Sequence, residues 1–216
     1  MTNFPILSSL ILIPTIGSIF LLFIKSTEKN NSIKYVALFT SLINFFLSLY
    51  LWKLFDNNIS DFQFVETRIW IKNFINYKVG VDGISMLFII LATFITPLCI
   101  ISVNNHVKIR LKEFLIAILL METLMIGVFC SLDLIIFYLF FEGGLIPMFL
   151  IIGIWGGNRR VYSAFKFFLF TLVGSVLMLI AIIYIYWLSG TTDVEQLYNL
   201  GIDSKYQNYL WLAFFS

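Results

Sequence analysis

The chain has 216 residues, of which 60% are hydrophobic and 12% charged; its net charge is +2 and its mean hydropathy +0.96. Soluble domains carry about 25% charged residues, so a soluble enzyme or carrier is excluded. The basic residues are dispersed rather than striped, which excludes a nucleic-acid-binding face. Cys99 and Cys130 both fall in apolar runs and read as small buried hydrophobes rather than a disulfide.

A helix rises ~1.5 Å per residue, so about 20 apolar residues cross the ~30 Å hydrocarbon core of a bilayer. Taken in chain order, the first such run is 4–24. It lacks a basic leading segment, so it reads as a spanning helix rather than a signal peptide. A second span covers 33–55. The long segment after it alternates polar and apolar residues (Asp61, Phe62, Gln63, Phe64), which predicts a short extracytoplasmic β-hairpin near 60–80. Asp82-Gly83 opens a third span over 84–103, with Asp82 placed to cap it. Spans four and five cover 114–131 and 134–155. Only Ser131-Leu132-Asp133 separates them, which makes them antiparallel neighbours, and Asp133 can cap the fifth. A sixth span covers 164–188. A seventh begins near Tyr209, and its apolar start predicts that the chain is part of a longer one. The expected fold is an all-α polytopic membrane protein with six complete spans and the start of a seventh.

Loop charges set the orientation. Lys25, Lys29 and Lys34 mark the first loop, Lys108, Arg110 and Lys112 the third, and Arg159 and Arg160 the fifth, with Lys166 at its edge. The fourth loop has no lysine or arginine, and the sixth has Lys205 alone. Odd loops are therefore cytoplasmic or matrix-side, and the N-terminus lies outside. The second loop departs from this pattern with Lys53, Arg68, Lys72 and Lys78, which Asp56, Asp61, Glu66 and Asp82 offset.

Two acids lie inside the apolar runs. Glu142 stands in the middle of span five with no other charge around it, and Glu122 near the middle of span four. A charge at that depth costs at least ~2.5–3.5 kcal/mol, so a chain that keeps one uses it for a proton, an ion or an ion pair. Two carboxylates at one depth cannot both be cheaply ionised. Gly143-Gly144 and Pro147 weaken the helix beside Glu142, since Pro147 has no N–H for the Gly143 carbonyl. That leaves room for a polar relay; the plainer alternative is close packing and a static ion pair. Lys166 is the nearest basic candidate for the relay, although a lysine near a span end can simply extend to the surface. His106 reads as a loop residue. There is no Cys/His cluster, phosphate loop or Ser/His/Asp set, so no metal or cofactor is expected on this chain.

Phe140-Phe-Glu-Gly-Gly-Leu-Ile-Pro-Met-Phe-Leu-Ile-Ile-Gly-Ile-Trp-Gly-Gly157 resembles the fifth-helix motif of the antiporter-like M subunits (subunit 4 in mitochondria) of proton-pumping NADH:quinone oxidoreductase, respiratory complex I. Gly80-Val-Asp-Gly-Ile-Ser85 resembles the start of that family's third helix, and Lys112-Glu-Phe-Leu-Ile-Ala117 with Glu122 its fourth. The segment Arg160 to Ser175 resembles its following loop and sixth helix. The resemblance implies inverted repeats, each with a broken helix, so that 1–112 is an N-terminal three-helix segment and 113–216 an incomplete first repeat. It implies a proton-translocating membrane-arm subunit that couples electron transfer from NADH to quinone to proton pumping, with other membrane-arm subunits as partners. The complex uses NADH, FMN, iron–sulfur clusters and quinone, none of them held by this chain. The family's fifth-span glutamate, here Glu142, pairs with a lysine of the seventh span, and Glu122 matches a second intramembrane glutamate. The lysine-bearing segment lies beyond Ser216. The implied membrane is the bacterial cytoplasmic membrane, with the mitochondrial inner membrane as the alternative. A subunit of a multisubunit cation/proton antiporter, which shares the fold, and a non-transporting scaffold remnant are the rival readings.

Overall fold

A backbone in lipid finds no water, so it satisfies its N–H and C=O groups by coiling. Six long apolar helices follow from the six runs. A computed structural model of the chain describes residues 5–24, 31–71, 75–103, 107, 109–199 and 204–215. Lys25, Lys29, Lys72, His106 and Lys108 lie outside the described residues, as does the side chain of Lys205. The long helices are α1 (Ile6–Phe23), α2 (Asn31–Leu54), α3 (Gly83–Ser102), α4 (Leu111–Cys130), α5 (Leu134–Trp155) and α6 (Arg160–Ser189). Each is long and apolar enough to cross a membrane. The expected hairpin is present as β1 (Gln63–Ile71) and β2 (Ile75–Val81), which pair in a two-stranded antiparallel sheet. Two shorter helices follow, α7 (Val194–Tyr198) and α8 (Ser204–Phe214). The sequence reading lacked α7, and α8 starts five residues before Tyr209.

Helix starts are set by carboxylates. Asp82 caps α3 in a capping box with Ser85: the Ser85 amide donates to Asp82 Oδ1 at 2.7 Å, and the Asp82 amide donates to Ser85 Oγ at 2.9 Å. Burial pushes the Asp82 carboxyl up, but the hydrogen bonds from Ser85 outweigh it and hold the group below its ordinary value. The cap therefore contributes fully above the ordinary carboxylate pKa and is lost as pH falls through the lowered one. Asp133 caps α5, accepting from the amides of Ile135 at 2.9 Å and Ile136 at 3.2 Å.

The start of α1 has no side-chain cap of its own, because Pro5 occupies that position. Glu66 of β1 fills the gap from 58 residues away. Its carboxylate accepts from the amides of Leu7 at 2.9 Å and Ser8 at 3.1 Å, and from the Ser8 hydroxyl. Glu66→Ala should lower the unfolding free energy by about 1–2 kcal/mol. Thermal unfolding in detergent measures this, and an unchanged midpoint removes the cap from the account.

The chain clusters into two compact units, Met1–Glu66 with Gly80–Cys130, and Thr67–Val79 with Ser131–Ser216. These units are defined by contact, whereas the expected division at 112/113 concerns internal repetition, a different property. In the first unit α1 packs on α2 and α4, and α3 packs on α2 and α4, which closes a four-helix bundle. Its apolar core includes Leu21, Ile33, Ala37, Ile100, Leu115 and Leu119. Gly17 lets α1 approach α2, since a Cβ there would meet Thr40 Cγ2 at 2.4 Å.

In the second unit α6 packs on α5 and α8. Phe149 of α5 sits between Phe165 and Phe168 of α6, with ring centroids 5.3 and 5.4 Å away. Gly190, with φ of 71°, ends α6 in the left-handed conformation that glycine adopts without strain.

Candidate functional site

The capped start of α5 fixes the register that carries Glu142 nine residues into the helix. Its side chain is half-buried. One oxygen, Oε2, is shielded from solvent and has no hydrogen-bond partner among the described residues. Tyr138, one turn earlier on α5, stands within electrostatic reach of Glu142 and beside Ser175 of α6. The helix runs unbroken through Gly143, Gly144 and Pro147, so the loosening expected there is local. Pro147 offers no N–H to the Gly143 carbonyl, and a Cβ on Gly144 would meet nothing within 4 Å. The helix beside the acid thus lacks one of its usual backbone hydrogen bonds.

Lys166 lies in the same unit, on the first turns of α6, and is exposed. It lines a surface hollow of about 550 Å³ with Arg159, Tyr162, Ser163, Phe167 and Phe170. The ion pairs among the described residues are Lys78 with Asp193 and Glu195, and Arg110 with Glu113. Lys166 and Glu142 are therefore not joined in an ion pair.

Glu122 belongs to the other unit and is only 2% exposed. It sits on α4 opposite Asn44 of α2, whose Nδ2 donates to Glu122 Oε1 at 2.7 Å. Asn44 is fully buried, with Ser41 and Ser48 on the same face of α2. Two further polar contacts accompany this pair in the bundle: Ser48 Oγ with Thr93 Oγ1 at 2.8 Å, and Thr15 Oγ1 with Thr123 Oγ1 at 3.0 Å. Sequence reasoning passed over Asn44. The signal was present in the spacing of Ser41, Asn44 and Ser48, which puts three polar side chains on one stripe of an otherwise apolar helix.

A third group of charges lies at the hairpin. Lys78 of β2 is buried, and its Nζ donates to both oxygens of Asp193 at 3.0 and 2.8 Å and to Glu195. The sequence reading balanced the second loop's cations with that loop's own acids. For Lys78 the partners are instead Asp193, which caps α7, and Glu195 in its first turn, while Glu66 and Asp82 serve as helix caps. Among the described residues no three His, Cys, Asp or Glu side chains converge as metal ligands.

The family described as NADH:quinone oxidoreductase/Mrp antiporter, TM, matches residues 131–216, the segment that carries Glu142. NADH-ubiquinone oxidoreductase chain 4 of Marchantia polymorpha is 47% identical over 212 residues, covering 97% of this chain and 43% of that one. NADH-quinone oxidoreductase subunit M of Rhodobacter capsulatus is 52% identical over 196 residues, covering 85% of this chain and 38% of that one. A chain in the structure of respiratory complex I from Thermus thermophilus with bound NADH superposes with a TM-score of 0.82 at 26% identity, covering 96% of this chain and 42% of that one. The chain thus spans about two fifths of the length of these relatives.

Proposed function

The chain belongs to the subunit M/chain 4 family of NADH:quinone oxidoreductases, and from that premise we propose that it acts in the proton-translocating membrane arm of such an enzyme. The observation that carries this reading is Glu142: a carboxyl with a shielded, unpartnered oxygen midway along an apolar helix, inside the segment that the family covers. In this reading Glu142 takes up and releases a proton as the charge on its surroundings changes. Its counter-charge is a lysine of the seventh span. Coulomb coupling between buried charges is strong enough to drive such exchange. Glu122 is a second proton-handling acid, and Lys166 an accessory cation at the mouth of the path. Residues 113–216 form the beginning of the first antiporter-like repeat.

The redox groups, NADH, FMN, iron–sulfur clusters and quinone, belong to other subunits, and no step here is routed through them. Partners are the neighbouring membrane-arm subunits. The membrane is a bacterial cytoplasmic membrane or the mitochondrial inner membrane, with the N-terminus outside.

The family that matches residues 131–216 also takes in Mrp antiporters, so the second reading is a subunit of a multisubunit cation/proton antiporter. Disrupting the gene in its host separates the two. Loss of NADH-driven quinone reduction supports the oxidoreductase reading. Intact NADH oxidation with new sodium sensitivity overturns it in favour of the antiporter.

A further inference from the structure

The four-helix unit buries Glu122 with no cation beside it among the described residues. The helices packed on α4 carry their charges only near their ends: Lys34 and Lys53 on α2, none on α1 or α3. On α4 itself, Lys112 and Glu113 belong to the first turn. Lys34 Nζ donates to the Ile101 carbonyl at 3.3 Å, Lys112 Nζ donates to the carbonyls of Leu22 and Ile24 at 2.8 Å, and Lys53 is exposed. The other titratable groups of these helices are Tyr35, Tyr50 and Cys99, all exposed, and Cys130, the last residue of α4. Asn44 is therefore the group that meets the acid.

Counting donors decides the state of the pair. The Asn44 amide offers two N–H groups and one oxygen; an ionised carboxylate offers only acceptors. One amide N–H goes to Glu122 Oε1, and two buried acceptors are left with no donor among the described residues: Asn44 Oδ1 and Glu122 Oε2. Buried acceptors left in this way are costly. A single proton on Glu122 supplies the donor that both atoms lack. We propose that Asn44 holds Glu122 as a neutral carboxylic acid, the two side chains closing a ring through Nδ2–H to Oε1 and Oε2–H to Oδ1. Asn44 is then a positioning residue. It fixes which carboxyl oxygen carries the proton, and loss of that proton opens one side of the ring. The role of the pair in proton movement rests on the function proposed above; its chemistry does not.

Infrared spectra of the full chain, purified in the assembly it forms in its host membrane, test the pair directly. Glu122→Gln should remove one carboxylic-acid C=O stretching band that shifts in D₂O. Asn44→Leu should move that same band to higher wavenumber, because the carbonyl loses the Nδ2 hydrogen bond. Asn44→Ser, which is smaller and still polar, should move it in the same direction and serves if the leucine variant does not assemble. If Glu122→Gln removes no such band, or the band stays in place in the Asn44 variants, the proposal is overturned. A band that behaves as expected in a Glu122→Gln variant that still pumps normally leaves the pair standing and removes the proton-handling role instead.

Discussion

Replacing Glu142 by glutamine is expected to abolish quinone reduction coupled to proton pumping while leaving assembly largely intact. Glutamine keeps the size and the hydrogen-bonding oxygen of the side chain but cannot release a proton. A positioned acid or base contributes about 10²–10⁴-fold to a proton-transfer step, so coupled activity should fall by about two orders of magnitude or more. The fold has no reason to suffer. Glu142 makes no ion pair among the described residues, one of its oxygens is unpartnered, and the space beside Gly144 is open. A neutral side chain at that depth is also cheaper than a charged one. The measurements are NADH-driven quinone reduction, proton uptake into sealed vesicles, and assembly on a native gel. Normal coupled activity in this variant would sink the proposed role. Glu142→Leu adds a control for the scaffold reading, which expects that variant to be tolerated or even stabilised.

The second large effect is expected at Lys78. The ammonium is held by Asp193 and Glu195, and it sits in a clasp within the second unit. The Leu132 amide donates to the Lys78 carbonyl at 2.9 Å, the Val194 amide to the Leu132 carbonyl at 2.9 Å, and the Leu134 amide to the Thr192 carbonyl at 2.9 Å. The Thr192 hydroxyl donates to Asp133 at 2.6 Å, tying the α5 cap to the same network. The Ser131–Asp133 link is thus gripped by β2 and by residues 192–194. Removing one member of a buried ion pair costs about 3–5 kcal/mol, because the partner is left uncompensated. The Asp193 side chain is only 14% exposed but that of Glu195 is 40% exposed, so solvent screens part of the loss. Lys78→Leu should therefore lower stability by about 2–3 kcal/mol. Thermal unfolding and limited proteolysis between α6 and α8 read the effect, and an unchanged midpoint and cleavage pattern would contradict it.

The pH dependence of the clasp has a definite sign. Burial works against the Lys78 charge, but Asp193 and Glu195 outweigh it and raise the ammonium above its ordinary value. Its contribution is complete below the ordinary lysine pKa and is lost only as pH climbs through the raised one. At neutral pH the lysine end of the clasp does not titrate.

Much of the architecture was legible residue by residue. The six spans, the hairpin near 60–80 and the caps at Asp82 and Asp133 depend on local properties: run length, period-two alternation, and an aspartate just before an apolar run. Glu142 and Glu122 were legible as acids out of place for a similar reason, since a carboxyl stands out in an apolar helix whatever it touches. Their surroundings were not legible. Asn44 looked like one polar residue among many apolar ones until α2 packed on α4 and brought it to Glu122 across 78 residues. Glu66 looked like one more loop charge until the fold placed it at the uncapped start of α1.

The sequence by itself determined that this chain lives in a membrane, which six segments are long and apolar enough to cross it, and which acids are out of place there, because hydrophobic length and the cost of a buried charge are set by each segment alone. Only the tertiary structure decided what answers those charges: an amide for Glu122 and two acids 115 and 117 residues away for Lys78. A partner is chosen by which helix faces meet, and the periodicity of one helix does not specify the face of another.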